Sequence, residues 1–512
     1  MTTVAPPGSL IERPAMGQHF TPDPVAWFLW EQIIATLPDN PGELQVIDPA
    51  AGEGALLRAA AAHDDRHQRH GKEIDPLVAE RGRDAGVEHG DGLFDLSGAL
   101  CDVVVANPPF GRASDLLDAD QWERLLDGEQ RHEIWGSGGR NPRRQLASRP
   151  LEQLFVERCL SLVTVGGRLG LVLPDGLLAN RRAQPARDWI LQRTRPLLIA
   201  AMPGSTFRHP GLNAMAHVVV LERLAEPDES GAGPMEARSP WDCLIVQRFG
   251  ARRARLSEAL SRISGELDQV RKGGKVTGIV RVGGSEFEGR RWDASFWHGR
   301  HSTSLWSAQT RVAPLGDYIE QITYGPIVTG SAPIHDVEGI TSIRQGDFTV
   351  TGLDLSEALR VTPNGPHDPA RSRVLPGDLL MPRSGAGALG RNRVAVYLGL
   401  EEANIGCFVD RIRLRGINPF YVWLFLRSRP GWGQIQAAIN GVGTPNINFE
   451  EIRSLQIPIV SDTEQDRCEA GYRERVLPLH EVSADQQERR RADAAFLGLV
   501  NELEALLARP EG

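Results

Sequence analysis

The run Asp102-Val-Val-Val-Ala106 leads straight into Asn107-Pro108-Pro109-Phe110, which puts a polar amide and an aromatic ring at the end of an apolar strand. The carboxyl end of a strand is where open α/β sheets bind ligands, and two successive prolines stop the strand and fix the turn. These groups suit chemistry at an exocyclic amino group, whose lone pair is delocalised into a heteroaromatic ring and is therefore a poor nucleophile. The Asn107 side-chain carbonyl and the Pro108 backbone carbonyl can each accept one amino hydrogen and localise the lone pair toward an electrophile. Phe110 can stack on a base taken out of its duplex, as an enzyme that acts on a base requires. The plain alternative is a strand-ending turn with no chemistry.

Three acids precede this run in order. Val46-Ile-Asp48-Pro-Ala50-Ala-Gly52-Glu-Gly54 reads as a strand, an acid and small residues that open a helix. Gly52 and Gly54 let backbone approach a ligand, and the helix start supplies unpaired N–H donors. Asp48 suits a cationic or amine-bearing ligand. Glu73 ends the next strand, before Ile74, where a carboxylate accepts ribose hydroxyls. Asp91, in His89-Gly-Asp91-Gly92-Leu93, can take an adenine amino group. Each acid alone reads as an ordinary surface or capping carboxylate, and the succession ahead of Asn107 favours a binding site.

The elements that hold these residues alternate from about Gln45 to Arg223 between short apolar runs and helical stretches, as in an α/β domain with a mostly parallel sheet. Strands are predicted at Leu44–Ile47, Gly71–Ile74, Val103–Ala106, Arg168–Leu173, Leu197–Met202 and Ala216–Glu222. Residues 224–240 read as a linker or surface loop, and Leu256 to Val270 as a helix. From Val276 to Val460 the texture changes to short strand-like pieces separated by Gly and Pro, a second domain. Ser483 to Arg509 is a predicted helix with Phe496, Val500, Leu503 and Leu507 on one seam, which packs on this chain or on a partner helix.

Composition removes several classes of function. The 512 residues carry a formal net charge of −9, against a uniformly basic nucleic-acid coat but not against local basic patches. Only Lys72, Lys272 and Lys275 are lysines, and they are followed by Glu73, Gly273 and Val276, so no G-x-x-x-x-G-K-[S/T] loop is encoded. None stands two residues after a carboxylate, so the E-x-K arrangement of the commonest restriction-nuclease fold is missing too. A nuclease or translocase working with this chain is expected to be a separate one. Five scattered cysteines support neither a disulfide framework nor a Cys-rich zinc site, and no metal site is expected. There is no long apolar run or secretion pattern, so the expected location is the cytoplasm, away from membranes.

Taken in order, the motifs resemble the S-adenosylmethionine-dependent amino methyltransferases of DNA, most closely the modification subunit of type I restriction systems. Gly17-Gln18-His19-Phe20-Thr21-Pro22 matches the N-terminal element that in that family packs on the cofactor's methionine part, with His19 where an aromatic is commoner. The resemblance implies that Asp48, Ala50, Gly52 and Gly54 serve the methionine end and backbone approach. It assigns Glu73 and Ile74 to the ribose and Asp91, Gly92 and Leu93 to the adenine. It assigns Asn107 to Phe110 to catalysis, with Asn107 also beside the cofactor. Pro150-Leu-Glu-Gln-Leu-Phe155 and Gly166 to Pro174 resemble later sheet elements of the family, and the match covers about residues 15–223. Cofactor motifs before the catalytic motif, with the second domain last, correspond to the gamma arrangement.

Arg291-Trp-Asp293, Pro314 to Asp317, Ile343 to Asp347, Pro376 to Gly385, Gly443 to Phe449 and Leu455 to Ile459 resemble the target-recognition domain of type I specificity subunits. The implied fold is a Rossmann-like α/β methyltransferase domain plus a C-terminal α+β target-recognition domain with a terminal helix. Its divisions would be an N-terminal helical or lid segment at 1–40, the methyltransferase domain at 41–240, a helical connector at 241–275, the recognition domain at 276–462 and a helical tail at 463–512. Duplex DNA is the implied partner, with Arg112, Arg140, Arg143, Arg144, Arg383, Arg391 and Arg393 as candidate contacts. Residues 371–393 hold five arginines against one acid and 131–149 likewise, so both are local basic islands. Solvated or ion-paired arginines are the even alternative.

The implied function is methyl transfer to adenine N6 in a restriction-modification or phage-defence system, Asn rather than Ser at position 107 favouring adenine over cytosine N4. A second reading is a sequence-reading methyltransferase subunit whose nuclease or translocase are other chains. A third is methylation of RNA or protein, since N-P-P-F is shared with those enzymes. A homodimer reading a two-part site stays open.

Overall fold

The computed structural model describes residues 20–38, 41–96, 100–129, 132–135, 146–204, 206–209, 212–226, 240–250, 255–302, 311–328, 338–385, 387–399, 401–439, 445–481 and 486–508. The chain folds as two compact units, Met1–Ala294 and Ser295–Gly512. No helix among the described residues is long and apolar enough to cross a membrane.

The first unit is built on a nine-stranded sheet. Its strands in chain order are β1 (Gln45–Asp48), β2 (Gln68–Glu73), β3 (Val87–His89), β4 (Cys101–Ala106), β5 (Val163–Pro174), β6 (Thr194–Ala201), β7 (Ala216–Arg223), β8 (Asp242–Val246) and β9 (Ile279–Gly283). Across the sheet they run β9-β8-β6-β7-β5-β4-β1-β2-β3. The pairings β1 with β2, β1 with β4, β2 with β3, β4 with β5 and β6 with β8 are parallel; those of β7 with β5 and β6, and of β8 with β9, are antiparallel. The central strands are near-continuous apolar runs, the pattern of strands buried on both faces. Alternation then assigns the faces. Val103 and Val105 of β4 join a buried cluster with Val25, Phe28, Leu29 and Ile33 of helix Asp23–Ile34 and with Leu256, Leu260, Ile263 and Leu267 of helix Leu256–Arg271. These two helices are also stitched by Gln32, which donates to Ser264 Oγ (3.1 Å) and accepts from Arg271 (2.8 Å). Helix Leu151–Leu162 packs on β4 and β5 with Leu154, Val156, Cys159 and Leu160 buried.

Two expectations about the division of the chain change. The stretch 241–275 is not a connector outside the fold, because β8 adds to β6 in parallel register (Ile245 opposite Ile199) and the helix that follows covers helix Asp23–Ile34. Ile279–Gly283 and Arg291 to Asp293, expected in the second domain, lie in the first unit. The former is β9, antiparallel to β8, and the N–H of Trp292 donates to the carbonyl of Leu178 (2.9 Å).

The second unit is α+β. Ile319–Tyr324, Val409–Leu414, Leu379–Pro382 and Ala395–Val396 form an antiparallel four-stranded sheet, and Leu359–Val361, Ile340–Ile343, Ala403–Ile405 and Arg373–Val374 form a mixed one. Helices Pro419–Arg427, Asp462–Arg475 and Gln486–Leu507 share its core. The terminal helix lies on its own chain: Phe496, Val500, Leu503 and Leu507 are buried in that core, with the Phe496 ring 5.1 Å from Trp423.

Candidate active site

β1 ends on Asp48, β2 on Glu73 and β4 on Ala106, so parallel pairing sets their carboxyl ends side by side; Asp48 is opposite Gly71 and Val46 opposite Val103. Asp48 is 1% exposed. Its Oδ1 accepts the Ala50 N–H at 2.9 Å, and Oδ2 has no hydrogen-bond partner among the described residues. Burial, assisted by the charge of Glu73, raises its pKa from 3.8 to about 8 against the pull of the Ala50 N–H.

The loop after Asp48 turns on Gly52 and Gly54, whose φ angles of 53° and 81° favour glycine. Gly52 donates its N–H to Glu73 Oε2 at 3.0 Å, and Asp75 donates to Oε1 at 2.9 Å. Glu73 thus braces two loops. Burial raises its pKa, and the Gly52 N–H opposes that shift. The Asp91 carboxylate accepts the Leu93 N–H (2.9 Å) and Gln121 Nε2 (2.6 Å); burial raises its pKa too, and the Gln121 hydrogen bond lowers it. Gly92 is forced by space: a Cβ there would stand 1.8 Å from the Pro49 carbonyl oxygen.

Asn107 follows β4 directly and donates from Nδ2 to Thr21 Oγ1 at 3.0 Å. Two cavities meet at this residue. One of about 440 Å³ is lined by Asp48, Thr21, Pro22 and Asn107; the other, of about 220 Å³, is lined by Glu73, Ile74, Asp91, Gly92, Leu93 and Asn107. Phe20, Ala50 and Gly52 also wall both. One end of the combined space offers the Asp48 carboxyl to a cation. The other offers acceptors on Glu73 and Asp91 between the apolar walls Ile74, Leu93 and Pro109, which fits a sugar diol and a flat heteroaromatic ring.

Sequence reasoning overlooked one wall of the smaller cavity. Leu116, Leu117, Asp118 and Gln121 reach it from the segment after the N-P-P-F run, and Leu151 and Phe155 from the helix beyond. A signal was present in Asp118-x-x-Gln121, a capping box that starts helix Ala119–Leu126 and sends Gln121 to Asp91. Other expected residues stand apart from both cavities. Gly54 backs onto Ala85, Pro108 is buried, and Phe110 is half-buried against the core of the first unit. Gln18, His19, Arg140, Arg143 and Arg144 lie outside the described residues.

The arginines of 371–393 sit on separate elements and differ in their partners; Arg371 and Arg383 both lie over the Tyr324 ring. Arg373 pairs with Asp368 (2.8 Å) and Glu402 (3.1 Å). Arg393 is half-buried in a cavity of about 740 Å³ that also holds Asp354 and Asp493. Arg391 is exposed, and Arg383 packs over Tyr324. In the first unit, Arg112 is exposed beside Pro150.

Residues 11–226 match the family model described as N-6 DNA Methylase. The N-6 DNA Methylase match takes in β1 to β7 with Asp48, Glu73, Asp91 and Asn107, and ends before β8 and β9. Among solved structures, the type IIG restriction endonuclease BpuSI is 14% identical over 97% of this chain and 67% of its own, with a TM-score of 0.47. A modification subunit of a putative type I restriction enzyme from Vibrio vulnificus is 16% identical over 53% of this chain and 56% of its own, with a TM-score of 0.38. A putative class I S-adenosylmethionine-dependent methyltransferase from Listeria monocytogenes is 20% identical over 48% and 70%, with a TM-score of 0.34.

Proposed function

We propose that this protein is an S-adenosylmethionine-dependent DNA methyltransferase that acts on adenine N6 within a restriction-modification system, with its second unit reading the DNA sequence. The observation that carries this reading is the junction at Asn107, where a Thr21-held amide stands between a cavity with an acid for a cation and a cavity with acceptors for a nucleoside. The residues fit the cofactor. Asp48, with its unpartnered buried oxygen, takes the ammonium of the methionine part. Glu73 takes ribose hydroxyls, and Asp91 and Leu93 take the adenine ring. The bound cofactor supplies an electrophilic methyl group on a sulfonium.

The chain's own share is positioning and polarisation. The Asn107 side-chain carbonyl and the Pro108 carbonyl accept the two amino hydrogens of a base turned out of the duplex. The amine lone pair then points along the line of attack, and the surplus proton passes to solvent. Thr21 tethers the Asn107 amide at the junction of the two cavities.

The test is transfer of labelled methyl to genomic DNA by wild type and Asn107→Ala, with modified positions read by single-molecule sequencing. The expected result is N6-methyladenine in one sequence context, lost by at least about 100-fold in the variant, within the range of removing a positioned polarising group. Preferential labelling of RNA or protein would overturn the DNA reading. The absence of a P-loop lysine and of E-x-K from the sequence also supports separate nuclease or translocase chains as partners.

A further inference from the structure

Arg383 stands apart from the other arginines of the second unit in what holds it and in what it leaves free. Its N–H donates to the Phe408 carbonyl (3.0 Å) and its carbonyl accepts from Ile447 (3.1 Å), so the backbone is clamped on both sides. The guanidinium carbon lies 4.6 Å from the centre of the Tyr324 ring and 5.9 Å from that of Phe449, two rings 6.0 Å apart. Behind it, Asp410 Oδ1 is 3.9 Å from Nε, on a carboxylate that is fully buried. The guanidinium makes no hydrogen bond among the described residues, and the side chain remains 25% exposed. By contrast Arg373 is committed to Asp368 and Glu402, and Arg371 donates to Thr323 Oγ1 and the Tyr324 carbonyl.

Such an arginine is a fixed plane of donors. A phosphate contact tolerates a mobile side chain. A guanidinium whose backbone is clamped and whose plane is set by aromatic faces instead matches an edge with two acceptors side by side. In duplex DNA that edge is guanine O6 and N7 in the major groove. We infer that Arg383 reads one guanine of the recognition sequence through this edge, with Tyr324 and Phe449 setting its plane. The inference rests on the second unit being the part that reads DNA.

The experiment uses the full chain. Methylated sites are mapped for wild type, Arg383→Lys and Arg391→Ala, and wild type is assayed on duplexes in which each guanine of its motif is replaced in turn by 7-deazaguanine, which lacks N7. Arg383→Lys keeps the charge but not the paired donors. Its preference for guanine at one position is expected to fall about 5- to 150-fold, the discrimination of one bidentate contact. Wild type should be slowed by 7-deazaguanine at that same position, and Arg383→Lys should be indifferent to it. Arg391→Ala should keep the motif.

An Arg383→Lys enzyme that holds its motif strictly at every position overturns the inference. So does wild-type indifference to 7-deazaguanine throughout the motif, a result that does not depend on any variant folding. A wild type that leaves DNA unmethylated overturns the proposed function, and this inference with it. One that methylates a motif without a guanine-dependent position overturns the inference alone.

Discussion

Asp48 holds a proton that a bound cation must displace. Its pKa is raised to about 8 by burial, so at pH 7 the carboxyl is mostly neutral. On the function proposed above, the S-adenosylmethionine ammonium would stabilise the charged form, and close to one proton should leave on binding at pH 7. Calorimetry in buffers of different ionisation enthalpy measures this directly. Affinity is expected to rise close to tenfold per pH unit between 6 and 7, flatten near 8 as Asp48 itself ionises, and fall above that as the ligand's ammonium loses its proton. Asp48→Asn should abolish both the proton release and the pH slope.

The sign for stability is the reverse. A pKa raised on folding means that the native chain keeps a proton which the unfolded chain loses near pH 4. Ligand-free stability therefore falls as pH climbs from about 4 to about 8. At this scale the sequence was informative: Asp48, Glu73, Asp91 and Asn107 could be picked out by order and spacing, because each ends a strand or follows one closely. Gln121 was legible only as part of a capping box, and neither its contact with Asp91 nor the place of Phe155 on the cavity follows from spacing, since both come from elements whose path depends on how the segment after Phe110 folds back.

At the scale of elements, the site depends on loops that touch through their backbones. The Pro49 carbonyl of the β1 loop and Gly92 of the loop after β3 approach so closely that any side chain would collide. Backbone cannot give way as the end of a flexible side chain can. Gly92→Ala is thus expected to separate the two loops, lower stability by about 1–3 kcal/mol, the cost of overpacking a filled site, and weaken cofactor binding. Thermal melting and titration with S-adenosylhomocysteine check both effects.

β1 and β4 were legible because each is a short apolar run closed by a polar or turn residue; β2, Gln-Arg-His-Gly-Lys-Glu, showed only at its end, and β3, Val-Glu-His, is too short and polar to have been predicted. β8, inside the expected helical connector, and β9, inside the expected second domain, were misplaced for a physical reason: only the pairing of β8 with β6, and of β9 with β8, shows which core they complete. A count of charges over 371–393 is likewise blind to Asp368 and Glu402, which pair with Arg373.

At the scale of the whole molecule, the N-6 DNA Methylase match and the folded unit differ in extent, 11–226 against Met1–Ala294. The difference decides what becomes of β6. In the intact chain its outer side is hydrogen-bonded by β8, and β8 in turn by β9, where Arg281 faces Asp242 at 3.4 Å and puts charge on the rim. A chain ended at 226 would present Leu197-Leu198-Ile199-Ala200-Ala201 as an unprotected edge, an apolar row of open donors and acceptors ready to recruit the same row on another molecule. It would also strip helix Leu256–Arg271 from helix Asp23–Ile34. Sedimentation should show that shorter chain as aggregates and a chain ended at Ala294 as a discrete species. The residues beyond the match are thus what keeps the nine-stranded sheet from growing into its neighbours.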